Sequence, residues 1–207
     1  MTRSLKIGLD IQHLGRIKRP GDYGASVDTD GDGHSETVEA LLTPRIAVGA
    51  LEYLQASGHS VYIFGDGAYS ERHSRADKYK LNVYLALHLN AGGGDYGAFF
   101  YHPESPEHNG AALATAIAGA WTMEGERLLG RDFSVKAIRS SRADWTKNAH
   151  YTIKGLGRAA YPVGICCEPW FLDNPEHRAA FGTAEGLHRT GIALGRGIDA
   201  WAQSKFA

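Results

Sequence analysis

Cysteine is almost missing from this 207-residue chain: the only two, Cys166 and Cys167, are neighbours. A vicinal pair neither staples a loop nor has metal-site spacing, so a disulfide framework is excluded. Long hydrophobic runs are missing too. No stretch approaches the roughly 20 apolar residues that a membrane span requires, and Met1-Thr2-Arg3-Ser4-Leu5-Lys6-Ile7-Gly8 turns polar before a signal-type segment develops. The expectation is synthesis in the cytoplasm without a signal peptide, and no membrane insertion. Neither sign of charge is in excess: 22 Lys and Arg stand against 23 Asp and Glu, so there is no footprint for nucleic acid. Internal repeats and low-complexity linkers are absent as well. What remains is an ordinary globular composition, 43% hydrophobic and 22% charged, in a length that suits one domain over residues 1–207. A monomer is expected.

The apolar segments that are present alternate between two periodicities. Leu5 to Ile11, Val61 to Phe64, Val83 to Leu87, Gly97 to His102 and Val163 to Cys167 are short, β-branched or aromatic, and closed by turn residues, as buried strands are. Between them, Glu36 to Ser57 carries Val38, Leu41, Leu42, Ile46, Val48, Leu51 and Leu54 at helical intervals and stops at Gly58, with Pro44 near its start. Glu71 to Lys80 reads as a short charged helix, Asn109 to Trp121 as an Ala-rich one, and Pro175 to Ala202 as a closing helix. This alternation predicts an α/β layer fold, with parallel pairing where a helix connects two strands. Residues 123 to 157 read as loop-rich, the expected wall of a groove that Lys136 and His150 would line.

Arg16 to Ser35 is too polar to be core and forms a loop at the end of the first strand. Within it, Asp28-Thr29-Asp30-Gly31-Asp32-Gly33, followed by Glu39, matches the spacing of a calcium loop. Pro20 and the glycines at 15, 21 and 24 argue against the entering helix of a true calcium-binding hand. An isolated Ca2+ loop at Asp28, Asp30 and Asp32 stays open, as does a plain solvated Asp/Gly loop.

Chemistry-bearing residues sit where strands end. Gly8-Leu9-Asp10-Ile11-Gln12-His13 ends in a histidine, Ala86-Leu87-His88 ends in another, and Ile165-Cys166-Cys167-Glu168 ends in a carboxylate. If these strands are parallel neighbours, His13, His88 and Glu168 converge on one sheet edge with Glu39, at the start of the first helix. Two neutral imidazoles and one carboxylate suit a single catalytic Zn2+ with an open position, and a further carboxylate can serve as the base for amide hydrolysis. No compact H-E-x-x-H motif is present. The remaining histidines, at 34, 59, 73, 102, 108, 150, 177 and 188, are expected to be solvated.

These residues resemble the zinc-dependent N-acetylmuramoyl-L-alanine amidases of phage lysins and bacterial cell-wall enzymes, over nearly the whole chain. The family's D-x-G-H-G is here Asp10-Ile11-Gln12-His13-Leu14-Gly15, with two glycines replaced. Its helix-opening glutamate resembles Glu39, followed by Leu54, Gly58 and Val61. Its E-R-x-x-x-A-N and S-I-H-x-N-A resemble Glu71-Arg72-His73-Ser74-Arg75-Ala76-Asp77 and Ala86-Leu87-His88-Leu89-Asn90-Ala91. Its E-x-G-F-L-S-N is similar to Glu168-Pro169-Trp170-Phe171-Leu172-Asp173-Asn174. The resemblance implies one mostly parallel, mixed sheet of about six strands flanked by helices on both faces. It implies one zinc held by His13, Glu39 and His88, with Glu168 as the catalytic carboxylate and Glu36, one helical turn away, as the alternative to Glu39. It also implies peptidoglycan as substrate and cleavage between N-acetylmuramic acid and L-alanine. No wall-binding domain is recognised, so the expected setting is a phage endolysin acting at the cell wall after phage-mediated release. The rival readings are a zinc amidase or peptidase on another amide, and a non-enzymatic calcium-dependent binding module built on Asp28 to Glu39.

Overall fold

The computed structural model describes residues 4–15, 21–102, 109–140 and 163–206. Among them run β1 (Lys6–Ile11), β2 (Ser26–Val27), β3 (Thr37–Val38), α1 (Glu39–Ala56), β4 (Ser60–Phe64), α2 (Tyr69–Lys78), β5 (Val83–Leu87), β6 (Gly97–Tyr101), α3 (Asn109–Leu129), β7 (Val135–Arg139), β8 (Val163–Glu168), α4 (Pro175–Phe181) and α5 (Ala184–Phe206). Six strands form one sheet in the order β4-β1-β5-β8-β6-β7, parallel throughout except for the antiparallel β6–β8 pair. The fold class is therefore the expected open α/β sheet.

The central strands are apolar along their whole length because both of their faces are covered. On one face Leu85, Leu87, Ile165 and Cys167 pack with Ile46 and Leu54 of α1, Ile117 and Trp121 of α3, and Leu194 and Ile198 of α5. On the other, Tyr84 and Ala86 meet Ala76 of α2, with Phe64 and Leu81. That second core is small, and α2 has little apolar surface to give it. A buried ion pair fills the gap: Arg72 Nη1 donates to Asp10 Oδ1 at 2.6 Å, and both residues are fully buried. Cys166 and Cys167 are buried free thiols, with burial pushing both thiol pKa values up, so they behave as the small hydrophobes the strand pattern suggests.

Three expectations about elements need correction. The charged stretch after Trp121 is not loop from its start: α3 continues to Leu129, and β7 adds an edge strand at Val135–Arg139. Glu124 makes the helical extension workable by accepting from Arg127 and from Arg189 of α5, which neutralises charge that reads as surface. The closing helix is two helices, α4 and α5, parted at Gly182. Finally, the helix expected from Glu36 starts at Glu39: Thr37–Val38 is β3, which pairs antiparallel with β2 of the long polar loop and hands the chain directly to Glu39. His150 and most of the stretch around it lie outside the described residues.

Candidate metal centre

β1, β5 and β8 lie side by side and run the same way, so their carboxyl ends share one edge. That edge is where open α/β sheets carry their ligands. His13 follows β1 in a turn, His88 follows β5 immediately, and Glu168 is the last residue of β8. Glu39 arrives from a different direction, as the first residue of α1. Ala25 O accepts from Glu39 N at 2.8 Å and Tyr23 O accepts from Ala40 N at 3.1 Å, so the ribbon ties the helix start to the sheet edge.

His13, Glu39 and His88 meet there, with one donor atom from each lying within 4.8 Å of the others. Glu39 Oε1 is 2.9 Å from His88 Nδ1 and 3.7 Å from His13 Nε2. The two imidazoles stand edge to face, with ring centroids 5.1 Å apart. Both histidine side chains keep 17% exposure while Glu39 keeps 2%, so the cluster is closed from the core side and open towards solvent. Backbone holds the carboxylate in place: Leu89 N donates to Oε1 at 3.0 Å and Ala25 N to Oε2 at 2.7 Å.

The electrostatics follow from burial and pairing. Desolvation pulls His13 below the usual imidazole range, with Glu39 only partly opposing it, which favours the neutral form that ligates metals. For His88 desolvation acts in the same direction, but the hydrogen bond and charge of Glu39 outweigh it and the net shift is upward. Glu39 is the mirror image: burial raises it, and His88 then His13 bring it below the usual carboxylate range. Among the described residues, Glu168 makes no such pair. Burial raises its carboxyl pKa, which the charge of His88 offsets in part.

No family model matches the sequence, and no curated protein matches it. Solved structures do match. Cwp6 from Clostridium difficile has a TM-score of 0.71 at 23% identity, over 96% of this chain but 29% of its own, so this chain spans under a third of that protein. The N-acetylmuramoyl-L-alanine amidase AmiC2 of Nostoc punctiforme has a TM-score of 0.71 at 18% identity, covering 98% of this chain and 99% of its own. The catalytic domain of the CD27L endolysin targeting Clostridia difficile has a TM-score of 0.60 at 16% identity, over 94% and 96%. The chain has the amidase fold.

Within this amidase fold, three residues shape the centre that the motifs did not single out. Asp22 Oδ1 lies 2.9 Å from His13 Nδ1, which leaves Nε2 facing Glu39. A Cβ added to Gly24, where φ is +78°, would meet Glu39 Oε2 at 2.3 Å and His13 Cδ2 at 2.8 Å, so only glycine lets the ribbon pass this close. Arg72, quoted above only as part of a motif, reaches the turn that carries His13. The final motif is largely structural: Asp173 Oδ2 accepts from Gly92 N and Gly93 N, and Asn174 caps α4. Asn90 Oδ1 accepts from Ala91 N beside it at 2.9 Å.

The acidic loop separates from this centre. Asp28, Asp30 and Asp32 cluster with Glu36, all four exposed, while Glu39 belongs to the histidines. A calcium site using Glu39 as its last ligand is therefore not what the fold builds. The loop's own backbone N–H groups occupy its carboxylates: Gly31 and Gly33 donate to Asp28, and Thr29 donates to Glu36. The expectation that the other histidines are solvated holds for His34, which is exposed, and fails for His59, His73, His102 and His177, which are buried. His177 shows why: its Nδ1 accepts from Phe171 N and its Nε2 meets Asp95, so both ring nitrogens have partners inside the fold.

Proposed function

We propose that this protein is a zinc-dependent N-acetylmuramoyl-L-alanine amidase. The observation that carries the reading is the convergence of His13, Glu39 and His88 on one sheet edge of an amidase fold. Two imidazoles and one carboxylate, with a solvent-facing side, are the donor set of a catalytic zinc site with an open position. His13 through Nε2, Glu39 through Oε1 and His88 through Nδ1 would hold the ion. When bound, zinc supplies Lewis acidity that polarises a carbonyl and acidifies water.

The chain's own residues do the rest. Asp22 keeps the proton of His13 on Nδ1, and the N–H groups of Leu89 and Ala25 hold Glu39 against rotation. Glu168, its pKa raised by burial, takes the proton of the attacking water at its carboxylate and gives it to the leaving amide nitrogen. The bond broken is the amide between the lactyl carbonyl of N-acetylmuramic acid and the amino group of L-alanine. The likeness to the CD27L endolysin domain supports a role as a phage endolysin acting on the bacterial cell wall.

Mass spectrometry of peptidoglycan digested by the purified protein tests this. The expected products are stem peptides with free L-alanine amino termini and glycan strands with intact reducing ends. Activity disappears in excess chelator and returns with zinc, and metal analysis counts one zinc per chain. Cleavage within the peptide, or undiminished activity without metal, overturns the reading.

A further inference from the structure

His13 is one of only two non-glycine residues among those described whose φ is positive, at +62°. A side chain other than glycine stays in this left-handed region only where its surroundings hold it there. The groups that hold the backbone of this turn come in part from α2, which supplies none of the three clustered side chains. Arg72 Nη1 donates to Ile11 O at 2.9 Å, while Nη2 donates to Leu14 O, so one guanidinium grips the carbonyls on both sides of His13. Tyr69, one turn earlier on the helix, accepts from His13 N with its hydroxyl at 3.2 Å.

The guanidinium is itself fixed. Its Nη1 pairs with buried Asp10, which also accepts from Tyr84 Oη at 2.5 Å and from Gln12 Nε2. Its Nε donates to Asp66 O and Gly67 O, just before α2 begins. A planar fork of five donors can span these acceptors, whereas a lysine ammonium offers three donors at a single point.

We propose that Arg72, assisted by Tyr69, is a positioning residue that forces the 11–14 turn into its left-handed shape and so aims the His13 imidazole at Glu39 and His88. The consequence for metal affinity rests on the zinc reading above; the consequence for the turn does not. α2 is then a clamp on one ligand, and its buried Arg72–Asp10 pair serves the site as well as the small second core.

The test compares wild type with Arg72→Lys, Tyr69→Phe and, as a control on the same helix, Arg75→Lys, whose guanidinium meets exposed Asp66 and the Phe64 ring and makes no hydrogen bond to the His13 turn among the described residues. Two quantities are read on the full chain: zinc affinity by competition with a chromophoric chelator, and the backbone 13C shifts and amide exchange of His13 in metal-free protein. Arg72→Lys should weaken zinc about 10- to 100-fold and move the His13 shifts out of the left-handed range, with Arg75→Lys unchanged in both. Tyr69→Phe should speed exchange at the His13 amide and weaken zinc by less. It carries the test if Arg72→Lys does not fold. Unchanged His13 shifts and zinc affinity in folded Arg72→Lys, or an unchanged His13 amide in Tyr69→Phe, overturn the clamp. A wild type that binds no zinc overturns the metal reading instead, and the His13 shifts still decide the clamp.

Discussion

Glu39, a zinc ligand in the function proposed above, has its carboxylate held by two backbone N–H groups from separate segments, Leu89 and Ala25. The His13 imidazole is held instead by a side chain, the Asp22 carboxylate at its Nδ1. Replacing Asp22 with Asn removes the charge that favours the Nδ1 proton, and zinc affinity should fall about 10- to 100-fold, measurable by chelator competition. Glu168 belongs to a different class. Glu168→Gln should keep zinc bound at one per chain and lower kcat by about 10²- to 10⁴-fold, the usual contribution of a positioned acid or base. A variant that loses zinc, or one that keeps its activity, contradicts the assigned role. That His13, His88 and Glu168 lie at strand ends and Glu39 at a helix start is legible in the sequence, because apolar runs and helical periodicity mark where those elements stop and begin. Asp22 and Gly24 were not, since they reach the centre from a polar loop whose path no periodicity describes.

Between elements, α1 and α5 approach each other closely. A Cβ at Gly49 would meet His188 O at 2.1 Å, and one at Gly191 would meet Ile46 O at 2.1 Å, so the two helices touch through bare backbone. Gly191→Ala should therefore cost about 1–3 kcal/mol by overpacking, read as a lower urea midpoint. Because α1 begins with Glu39, the same substitution should also weaken zinc, which an exposed Gly→Ala change such as that at Gly119 should not do; a Cβ there meets nothing within 4 Å. Helix periodicity announced α1 and the apolar runs announced the central strands. The helical extension through Glu124 and the edge strand β7 escaped notice because their charges are satisfied by partners far along the chain, Arg189 in the first case and, for Lys136, the ring of Tyr96 at 4.2 Å.

For the molecule as a whole, a ligand that binds only the folded centre stabilises it by mass action, by about 4 kcal/mol at a thousandfold excess over Kd. Zinc should accordingly raise Tm and chelator should lower it. The sign of the pH dependence follows from His88, whose folded pKa is raised by Glu39 over the opposing effect of burial. Its charged pairing with Glu39 stabilises the metal-free fold fully below the unfolded pKa and is lost as pH rises through the folded one. Zinc must displace that proton, so the zinc-induced rise in Tm should shrink as pH falls from about 8 to about 5; an increment that grows towards acid pH contradicts the site. The alternation of strand and helix periods, the absence of disulfides and spanning helices, and the placing of two histidines and a glutamate at strand ends were all local properties, readable residue by residue. Which strands are neighbours, that Glu39 rather than Glu36 turns to the histidines, and that Asp22, Gly24 and Arg72 surround His13 depend on contacts between segments up to 80 positions apart, as Val83 and Val163 are in the β5–β8 pair. Such contacts leave no periodic trace in a single sequence, because they are selected by packing of the finished sheet and not by the preferences of the segments themselves.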